Sequence, residues 1–309
     1  MKKLVSTANL NREEWLRFRK RGIGGSDAGA VCGLNPYSSP LKVYYDKISD
    51  EISMEDNEAM KQGRDLEDYV ARRFMEETGM RVRRANAIFY DEEHPYMLAD
   101  ADRLIIGKPA GLECKTVSPY NADQWKNGKV PVHYQLQCYH YMSVFHAEEW
   151  YISALIFGRD FIIRKLTRDE TVIRNLREME GDFWKNHVEK RVMPAPDGSE
   201  ASDELILKNF QKAETGKTIL LSGFKEQIER RMELSALIDK MDMEKRKIDQ
   251  ELKLYLGGAE CAEGEGYRVT WKNISTNRMD MDRLKLEKPE IYREYLKTTQ
   301  SRRLTVKAA

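Results

Sequence analysis

The order of helix-like and strand-like segments constrains the fold of this chain more than any other feature of its sequence. Two helical patterns come first, NREEWLRFRK and the longer residues 56–79, in which apolar side chains recur on one face. Strand-like pieces follow as far as AGLECKT, then a helix around HYQLQCYHYMSVF, then two strands that turn at Gly158. Helices that precede and interrupt a group of strands in this order predict an α/β fold, with a central mixed sheet flanked by helices.

A stretch rich in proline, glycine and small polar residues, KRVMPAPDGSEASDE, divides the sequence and is typical of a linker. We therefore predict one domain over residues 1–190 and an extension over residues 203–309. The extension contains a helical pattern whose seam positions step alternately by four and three: Leu234, Ile238, Met241, Lys245, Ile248, Leu252 and Tyr255. This spacing predicts a coiled-coil-like arm with one lysine in its seam, and GYRVTWKNIS predicts a small β element after it.

Charge and cysteine content restrict the class of protein. The 309 residues include 52 Lys+Arg and 51 Asp+Glu, and a net charge of +1 excludes a generally basic, histone-like protein. A nucleic-acid enzyme remains compatible, because acidic residues can cancel a local basic groove. The four cysteines show no C-x-x-C spacing, which favours a reducing cytoplasm. We expect no signal peptide and no membrane span, because no apolar run is long enough.

Asp102, Glu113 and Lys115 form the first candidate site. Side chains alternate along a strand, so Glu113 and Lys115 point to one face, and a hairpin with the preceding strand would bring Asp102 beside them. Two carboxylates there would hold Mg²⁺, which prefers oxygen ligands. The alternative is a solvated hairpin face with a cross-strand ion pair, worth less than ~1 kcal/mol.

Three further polar residues are candidates for the same site. Glu67 lies on the long helical pattern and could hold a water on the metal, while Gln137 and Tyr141 are one helical turn apart and face one side. As alternatives, Glu67 is a surface glutamate and the other two lie at the edge of a partly buried helix. His133 and His140 are seven residues apart without a matching third ligand, so we interpret them as structural.

The segment RFRKRGIGGSDAGAVCG is a candidate phosphate cradle. Four cations in five residues lead into glycines and then Ser26, which we predict as the N-cap of a short helix that ends near Gly33. The spacing fits neither a dinucleotide fingerprint nor a P-loop. The alternative is a glycine turn beside a solvated basic patch.

These features occur together in a recognisable order. The blocks are RGIGGSDAGAVCGLNPYSSP, QGRDLEDYVARRF, MLADADRLI, GLECKT and YQLQCYHYM. Over residues 10–190 the chain resembles the phage-type recombination exonucleases, the YqaJ viral-recombinase and lambda-exonuclease family. That family belongs to the restriction-endonuclease-like superfamily with a PD-(D/E)xK site. The resemblance implies a nuclease domain over residues 1–190 with the restriction-endonuclease-like core.

The resemblance also implies a role for each matching residue. Asp102, Glu113 and the backbone carbonyl of Cys114 would bind the metal, and Lys115 would be the catalytic lysine. The remaining roles are water-mediated metal binding by Glu67, support of the site by Gln137 and Tyr141, and binding of the DNA 5′-phosphate by Ser26 and Arg19. Asp100 is an alternative to Asp102, because ADAD offers both on one side of a strand; Asp102 is preferred because RLI after it lies where the family motif continues. The block departs from the family in having no clear proline before the aspartate, which leaves its turn geometry open.

The implied activity is an exonuclease that depends on Mg²⁺ or Mn²⁺. It would digest double-stranded DNA ends 5′→3′ and leave 3′ single strands for a single-strand annealing protein in phage-type recombination. A homotrimer in the cytoplasm of a bacterial or phage-infected cell is implied as well. Endonucleolytic or single-strand cleavage by the same site and a non-catalytic DNA-binding scaffold are the alternatives. The seam of the extension could serve oligomerisation or the annealing partner, or pack within the chain against residues 205–210.

Overall fold

The structure is a computed structural model that describes residues 1–52, 54, 56–299 and 301–307. It divides the chain into two compact units, Met1–Asn209 and Phe210–Ala309. The helices are α1 Arg12–Arg19, α2 Gly25–Val31, α3 Pro40–Ile48, α4 Glu58–Thr78, α5 Val132–Phe145, α6 Glu170–Asp182, α7 Glu200–Asn209, α8 Lys225–Leu256, α9 Met281–Glu287 and α10 Pro289–Glu294. The strands are β1 Lys2–Ser6, β2 Ile23–Gly24, β3 Val82–Arg84, β4 Ala87–Tyr90, β5 Met97–Ala99, β6 Arg103–Ile105, β7 Ala110–Val117, β8 Glu149–Ile156, β9 Asp160–Thr167, β10 Cys261–Gly264 and β11 Tyr267–Thr270. The assignment of residues 1–190 to a nuclease and of residues 203–309 to an extension stays a prediction.

A five-stranded mixed sheet forms the centre of the first unit, in the order β3-β6-β7-β8-β9. Strands β7 and β8 are parallel, and the other neighbours are antiparallel. The predicted mixed sheet is therefore confirmed. The predicted hairpin is formed by β6 and β7, with Arg103 opposite Leu112. This register brings Asp102, the residue before β6, level with Glu113.

Helices α4 and α5 cover opposite faces of this sheet. Phe74 of α4 packs against Leu112, whereas Tyr141 of α5 lies in the cluster that contains Trp150 and Ile152 of β8. Alternation along β7 consequently turns Leu112 toward α4 and the next residue, Glu113, toward α5. Burying each large apolar side chain contributes about 1.5–3 kcal/mol, so the two helices fix which face each residue of β7 presents.

A second sheet of four strands, in the order β1-β4-β5-β2, positions the glycine-rich segment beside the strand that precedes Asp100 and Asp102. The parallel pairing of β2 with β5 sets Gly24 opposite Leu98. Helix α2 therefore starts beside the chain that leads to Asp100 and Asp102. Gly25 is required there, because a Cβ on it would lie 2.6 Å from Cε1 of Tyr141.

Helix α2 begins two residues earlier than the sequence suggests. Its N-cap is Gly24 rather than Ser26, because the Asp27 carboxylate accepts a hydrogen bond from the Gly24 N–H at 3.0 Å. Ser26 is left exposed in the first turn, with its hydroxyl available to other groups. The prediction that the helix starts near Ser26 holds, but its capping role was wrong.

The second unit contains the predicted helical arm and a small β element. Helix α8 extends over Lys225–Leu256 and stops at Gly257, whose φ of 54° favours glycine. Strands β10 and β11 form a two-stranded antiparallel hairpin after it. Across the residues that the structure describes, no helix is both long and apolar enough to span a bilayer.

Candidate active site

Asp102 and Glu113 lie next to each other on the β6–β7 hairpin. Asp102 Oδ2 accepts a hydrogen bond from the Cys114 N–H at 2.8 Å, which fixes that carboxylate against β7. Glu113 is only 3% exposed and points toward α5. The interpretation as a solvated hairpin face does not fit, because a solvated ion pair requires exposed carboxylates.

Lys115 is held beside Glu113 on the same face of β7. Its Nζ lies 2.6 Å from Glu113 Oε1 and 4.6 Å from the centroid of the Tyr134 ring. Burial disfavours the charge on Lys115, but the carboxylate of Glu113 outweighs burial and raises the lysine pKa. Lys115 is therefore a fixed ammonium ion inside the site and does not extend into bulk water.

A chain of hydrogen bonds from α5 orients Glu113. Gln137 Nε2 donates to Glu113 Oε1 at 2.7 Å and contacts the Tyr141 hydroxyl at 3.1 Å. The Tyr141 hydroxyl in turn donates to the backbone carbonyl of Asp100 at 3.2 Å. The predicted pair of side chains on one helix face thus links β7 to the segment that carries both aspartates.

Asp100 and Asp102 occupy different environments. Asp100 Oδ2 accepts a hydrogen bond from Trp15 Nε1 at 2.5 Å, whereas Asp102 faces Cys114 of β7. Burial, followed by the carboxylates of Glu113 and Glu67, raises the pKa of Asp102 well above its usual value. Asp102 is therefore the aspartate in close electrostatic contact with Glu113.

Glu67 approaches the site from α4, where Arg103 binds it. The Arg103 guanidinium forms an ion pair with Glu67, donates to Asp68 Oδ1 at 2.5 Å and donates to the Asp102 carbonyl at 2.6 Å. Arg103 is buried, so this contact ties the helix to the start of β6. Arg103 was not predicted from the sequence, because its partners Glu67 and Asp68 lie 36 and 35 residues away along the chain.

The predicted phosphate-binding residues meet as expected. Arg19 donates to the Ser26 hydroxyl at 2.6 Å, and its guanidinium lies 4.8 Å from the centroid of the Trp15 ring. Asp27 lies 3.7 Å from Arg19 and 2.8 Å from the buried Lys47. Burial opposes the charge of Asp27, but Lys47 and Arg19 outweigh it and lower the Asp27 pKa to about 2.

One cleft of about 470 Å³ connects these groups. Ser26, Arg19, Glu67, Asp102, Gln137 and Tyr141 all line it. Glu113 and Lys115 are not among its lining residues and adjoin it through Gln137. Arg64 and Arg84 add two cations to its wall. The cleft lining therefore combines the carboxylates of Glu67, Asp100 and Asp102 with several guanidinium groups.

The carboxylates of Asp102, which lines the cleft, and of Glu113, which adjoins it, fit a divalent cation. Glu113 Oε2 is buried and has no hydrogen-bond partner among the described residues, and burial raises the Glu113 pKa. Within the described ranges, no group of three His, Cys, Asp or Glu side chains could by itself hold a metal ion. Two carboxylates and a backbone carbonyl would be the protein ligands of a Mg²⁺ that keeps several waters. In a strand the N–H and C=O of one residue project to the same edge, so the Cys114 carbonyl faces the Asp102 side.

The two histidines of α5 lie outside this ligand set. His140 is fully buried between Glu180, 2.9 Å from its Nδ1, and the Leu98 carbonyl, 2.8 Å from its Nε2. His133 packs on Tyr134 with 4.0 Å between ring centroids, and burial lowers its pKa to about 4. Both histidines are packed among protein groups, in agreement with the structural role predicted from the sequence.

Known proteins with similar sequences belong to the family that the order of sequence motifs indicates. The model of the YqaJ-like viral recombinase domain matches residues 14–148. The protein YqaJ of Bacillus subtilis, described as uncharacterized, is 34% identical over 308 residues, which cover 98% of this chain and 97% of that protein. This chain belongs to the YqaJ family. The predicted family is therefore confirmed, and the match includes both the α/β unit and the extension.

Solved structures show the fold of this YqaJ family member. The alkaline exonuclease LHK-Exo of Laribacter hongkongensis matches with a TM-score of 0.50 at 18% identity, over 65% of this chain and 100% of that one. LHK-Exo in complex with dAMP matches at 19% identity, also with a TM-score of 0.50. The likeness confirms the restriction-endonuclease-like α/β fold.

Proposed function

We propose that this protein is a metal-dependent exonuclease that hydrolyses DNA from double-stranded ends. One observation carries the proposal. The half-buried carboxylate of Asp102 and the buried carboxylate of Glu113 lie close to the ammonium of Lys115, at a cleft that Arg19 and Ser26 also line. The family membership and the exonuclease named among the structural relatives support the same reaction.

Asp102, Glu113 and the Cys114 carbonyl would hold Mg²⁺, with Mn²⁺ as an alternative. When bound, the ion supplies Lewis acidity toward a phosphate oxygen and lowers the pKa of a coordinated water. Gln137 keeps Glu113 oriented by a hydrogen bond of 2.7 Å, so the carboxylate needs little reorganisation to serve as a ligand. We assign Glu67 to the water shell of the ion, which requires Arg103 to share that carboxylate.

Lys115 supplies positive charge where the phosphate becomes more negative. Its ammonium is fixed by Glu113 and the Tyr134 ring, so it would stabilise charge in the transition state without reorganising. It would also orient the attacking water by donating a hydrogen bond. The raised pKa keeps the proton on Lys115 in the absence of the metal, so its role there is that of a donor.

Arg19 and Ser26 would bind the 5′-terminal phosphate of the DNA. A guanidinium that is already held by an aromatic ring and a hydroxyl is preorganised for a phosphate oxygen. Because Arg19, Ser26 and Asp102 line one cleft, binding the terminal phosphate there would bring the first phosphodiester toward Asp102. This arrangement favours 5′→3′ digestion that leaves 3′ single strands.

We further propose a double-stranded DNA end as substrate, a single-strand annealing protein as partner and a homotrimer as assembly. We also propose the cytoplasm of a bacterial or phage-infected cell as the location of this activity, because such a DNA substrate occurs there.

Linear duplex DNA labelled at either the 5′ or the 3′ end of one strand tests the proposed activity. With Mg²⁺ we expect the 5′ label to be released first, and with a chelator we expect no digestion, because the carboxylates alone do not activate water. A covalently closed plasmid should remain intact. Cleavage of the closed circle would identify an endonuclease, and digestion in the chelator would refute metal dependence.

Removing the 5′-phosphate from the same duplex tests the cradle. We expect digestion by the unsubstituted protein to slow about tenfold, because losing one charge-assisted hydrogen bond costs about 1.5 kcal/mol, which corresponds to that change in rate. Arg19→Ala combined with Ser26→Ala should digest both substrates at one slow rate. Arg17→Ala is the matched control, because Arg17 is exposed and pairs with Glu13 on the same helix. Equal phosphate dependence in the double variant and the unsubstituted protein would contradict the assignment.

A further inference from the structure

Helix α8 carries an apolar stripe that lies in solvent. We call the seven positions Leu234, Ile238, Met241, Lys245, Ile248, Leu252 and Tyr255 the α8 seam. All residues from 229 to 255 are exposed, and the exposed fraction of the six apolar seam residues ranges from 39% to 84%. The helix is supported along this length by pairs within itself, such as Arg230–Glu233 at 2.9 Å.

The spacing of the α8 seam specifies the shape of what can cover it. Steps of four and three residues alternate without interruption from residue 234 to residue 255. A repeat of 3.5 residues keeps one stripe facing a second helix in a coiled coil, whereas a globular surface is usually met by a wider stripe. The seam therefore fits an amphipathic helix.

The flanks of the α8 seam specify the charge of that helix. In the half from Met241 to Tyr255, the four positions that border the seam are all acidic: Asp242, Glu244, Asp249 and Glu251. Among the described residues, Asp242, Glu244 and Asp249 form no ion pair, and Glu251 has only Lys247 at 3.9 Å. Apart from Lys245 in the seam itself, the basic residues of this half, such as Arg246 and Lys253, lie on the other face.

A second copy of α8 is a poor occupant. Flanking positions face each other across a coiled coil, so a parallel in-register pair would oppose acid to acid and Lys245 to itself. A fully overlapping antiparallel pair would oppose Asp242 and Glu244 to their own copies and set the other two acids against Ser235 and Leu237, so neither arrangement supplies a cation to the acidic flanks. Like charges in such pairs destabilise. Charge complementarity therefore favours a different protein.

We propose that the α8 seam binds an amphipathic helix of a partner protein. The partner carries lysine or arginine on both sides of its apolar stripe and an acid opposite Lys245. This interface is separate from the active site and does not depend on DNA hydrolysis.

Two synthetic helical peptides test the proposal with the full chain. Both carry leucine and isoleucine at seam spacing and glutamate opposite Lys245, and their flanks are all lysine in one and all glutamate in the other. By isothermal titration calorimetry we expect the lysine peptide to bind about tenfold tighter or better, because four or more flanking pairs change sign. Higher salt should reduce the difference.

Variants of α8 distinguish binding at the α8 seam from nonspecific binding of the peptides. Met241→Glu combined with Leu252→Glu should abolish binding of the lysine peptide, whereas Met243→Glu on another face of α8 should not. Glu244→Lys combined with Glu251→Lys should abolish the preference between the peptides, because two of the four flanking positions are then basic and two acidic. Equal affinity of the unsubstituted protein for both peptides, or binding of neither, would overturn the proposal. A loss of self-association in the Met241→Glu, Leu252→Glu variant by analytical ultracentrifugation would also overturn it, because the occupant would then be a second copy.

Discussion

Replacing Lys115 by alanine is expected to reduce the rate of DNA digestion by about 10²–10⁴-fold while binding of duplex ends persists. The ammonium lies 2.6 Å from Glu113 Oε1 and is held in place by the Tyr134 ring, so no other described group supplies a charge there. The rate is measured with excess enzyme on end-labelled duplex in Mg²⁺. DNA binding is measured separately in Ca²⁺ by fluorescence anisotropy.

Two controls show whether the loss is chemical or structural. Removing Lys115 leaves a buried carboxylate without its cation, which by itself destabilises the protein. Lys115→Arg keeps the positive charge but changes its geometry, and we expect it to fold normally and still digest slowly. Lys108→Ala removes another lysine next to β7, paired with Glu149 and outside the cleft, and should be as active as the unsubstituted protein. Full activity of Lys115→Ala would refute its role.

Asp102→Asn is expected to weaken binding of Mn²⁺ on the order of 10²-fold and to abolish digestion, because a neutral amide replaces one of two carboxylate ligands. Asp100→Asn, two residues before Asp102 in the sequence, is the matched control. Its carboxylate accepts from Trp15, so its loss should disturb the Trp15 contact but change Mn²⁺ affinity by no more than a few-fold. Isothermal titration calorimetry without DNA measures both affinities.

The two aspartate variants also show which of Asp100 and Asp102 is the metal ligand. If Asp100→Asn abolishes metal binding and Asp102→Asn retains it, the ligand is Asp100 and the hydrogen bond from Cys114 to Asp102 is structural. The same experiment therefore decides between the two aspartates that the sequence offers.

Local rules of the polypeptide account for the part of the site that could be predicted. Alternation along a strand was enough to direct Glu113 and Lys115 to one face, and helical spacing was enough to pair Gln137 with Tyr141. The β6–β7 hairpin that brings Asp102 to Glu113 follows from two short strand patterns and a turn. These contacts depend on geometry within about a dozen residues.

Contacts between distant segments account for what could not be predicted. Trp15 reaches Asp100 across 85 positions of sequence, and Arg103 reaches Glu67 across 36. Which of several nearby arginines or aspartates makes such a contact depends on the packing of whole helices. The N-cap of α2 is a smaller example: Ser26 is a good capping residue by type, but Gly24 is the N-cap because its N–H donates to Asp27 in the first turn.

The most direct test of the central claim is the position of a bound ion in crystals grown with Mn²⁺, measured by anomalous scattering. The account predicts one strong peak within coordination distance of an Asp102 oxygen, Glu113 Oε2 and the Cys114 carbonyl, with the Lys115 ammonium still beside Glu113. A peak held by Glu67 and Asp68 instead, or a fully loaded crystal with no peak on the β6–β7 hairpin, would contradict it.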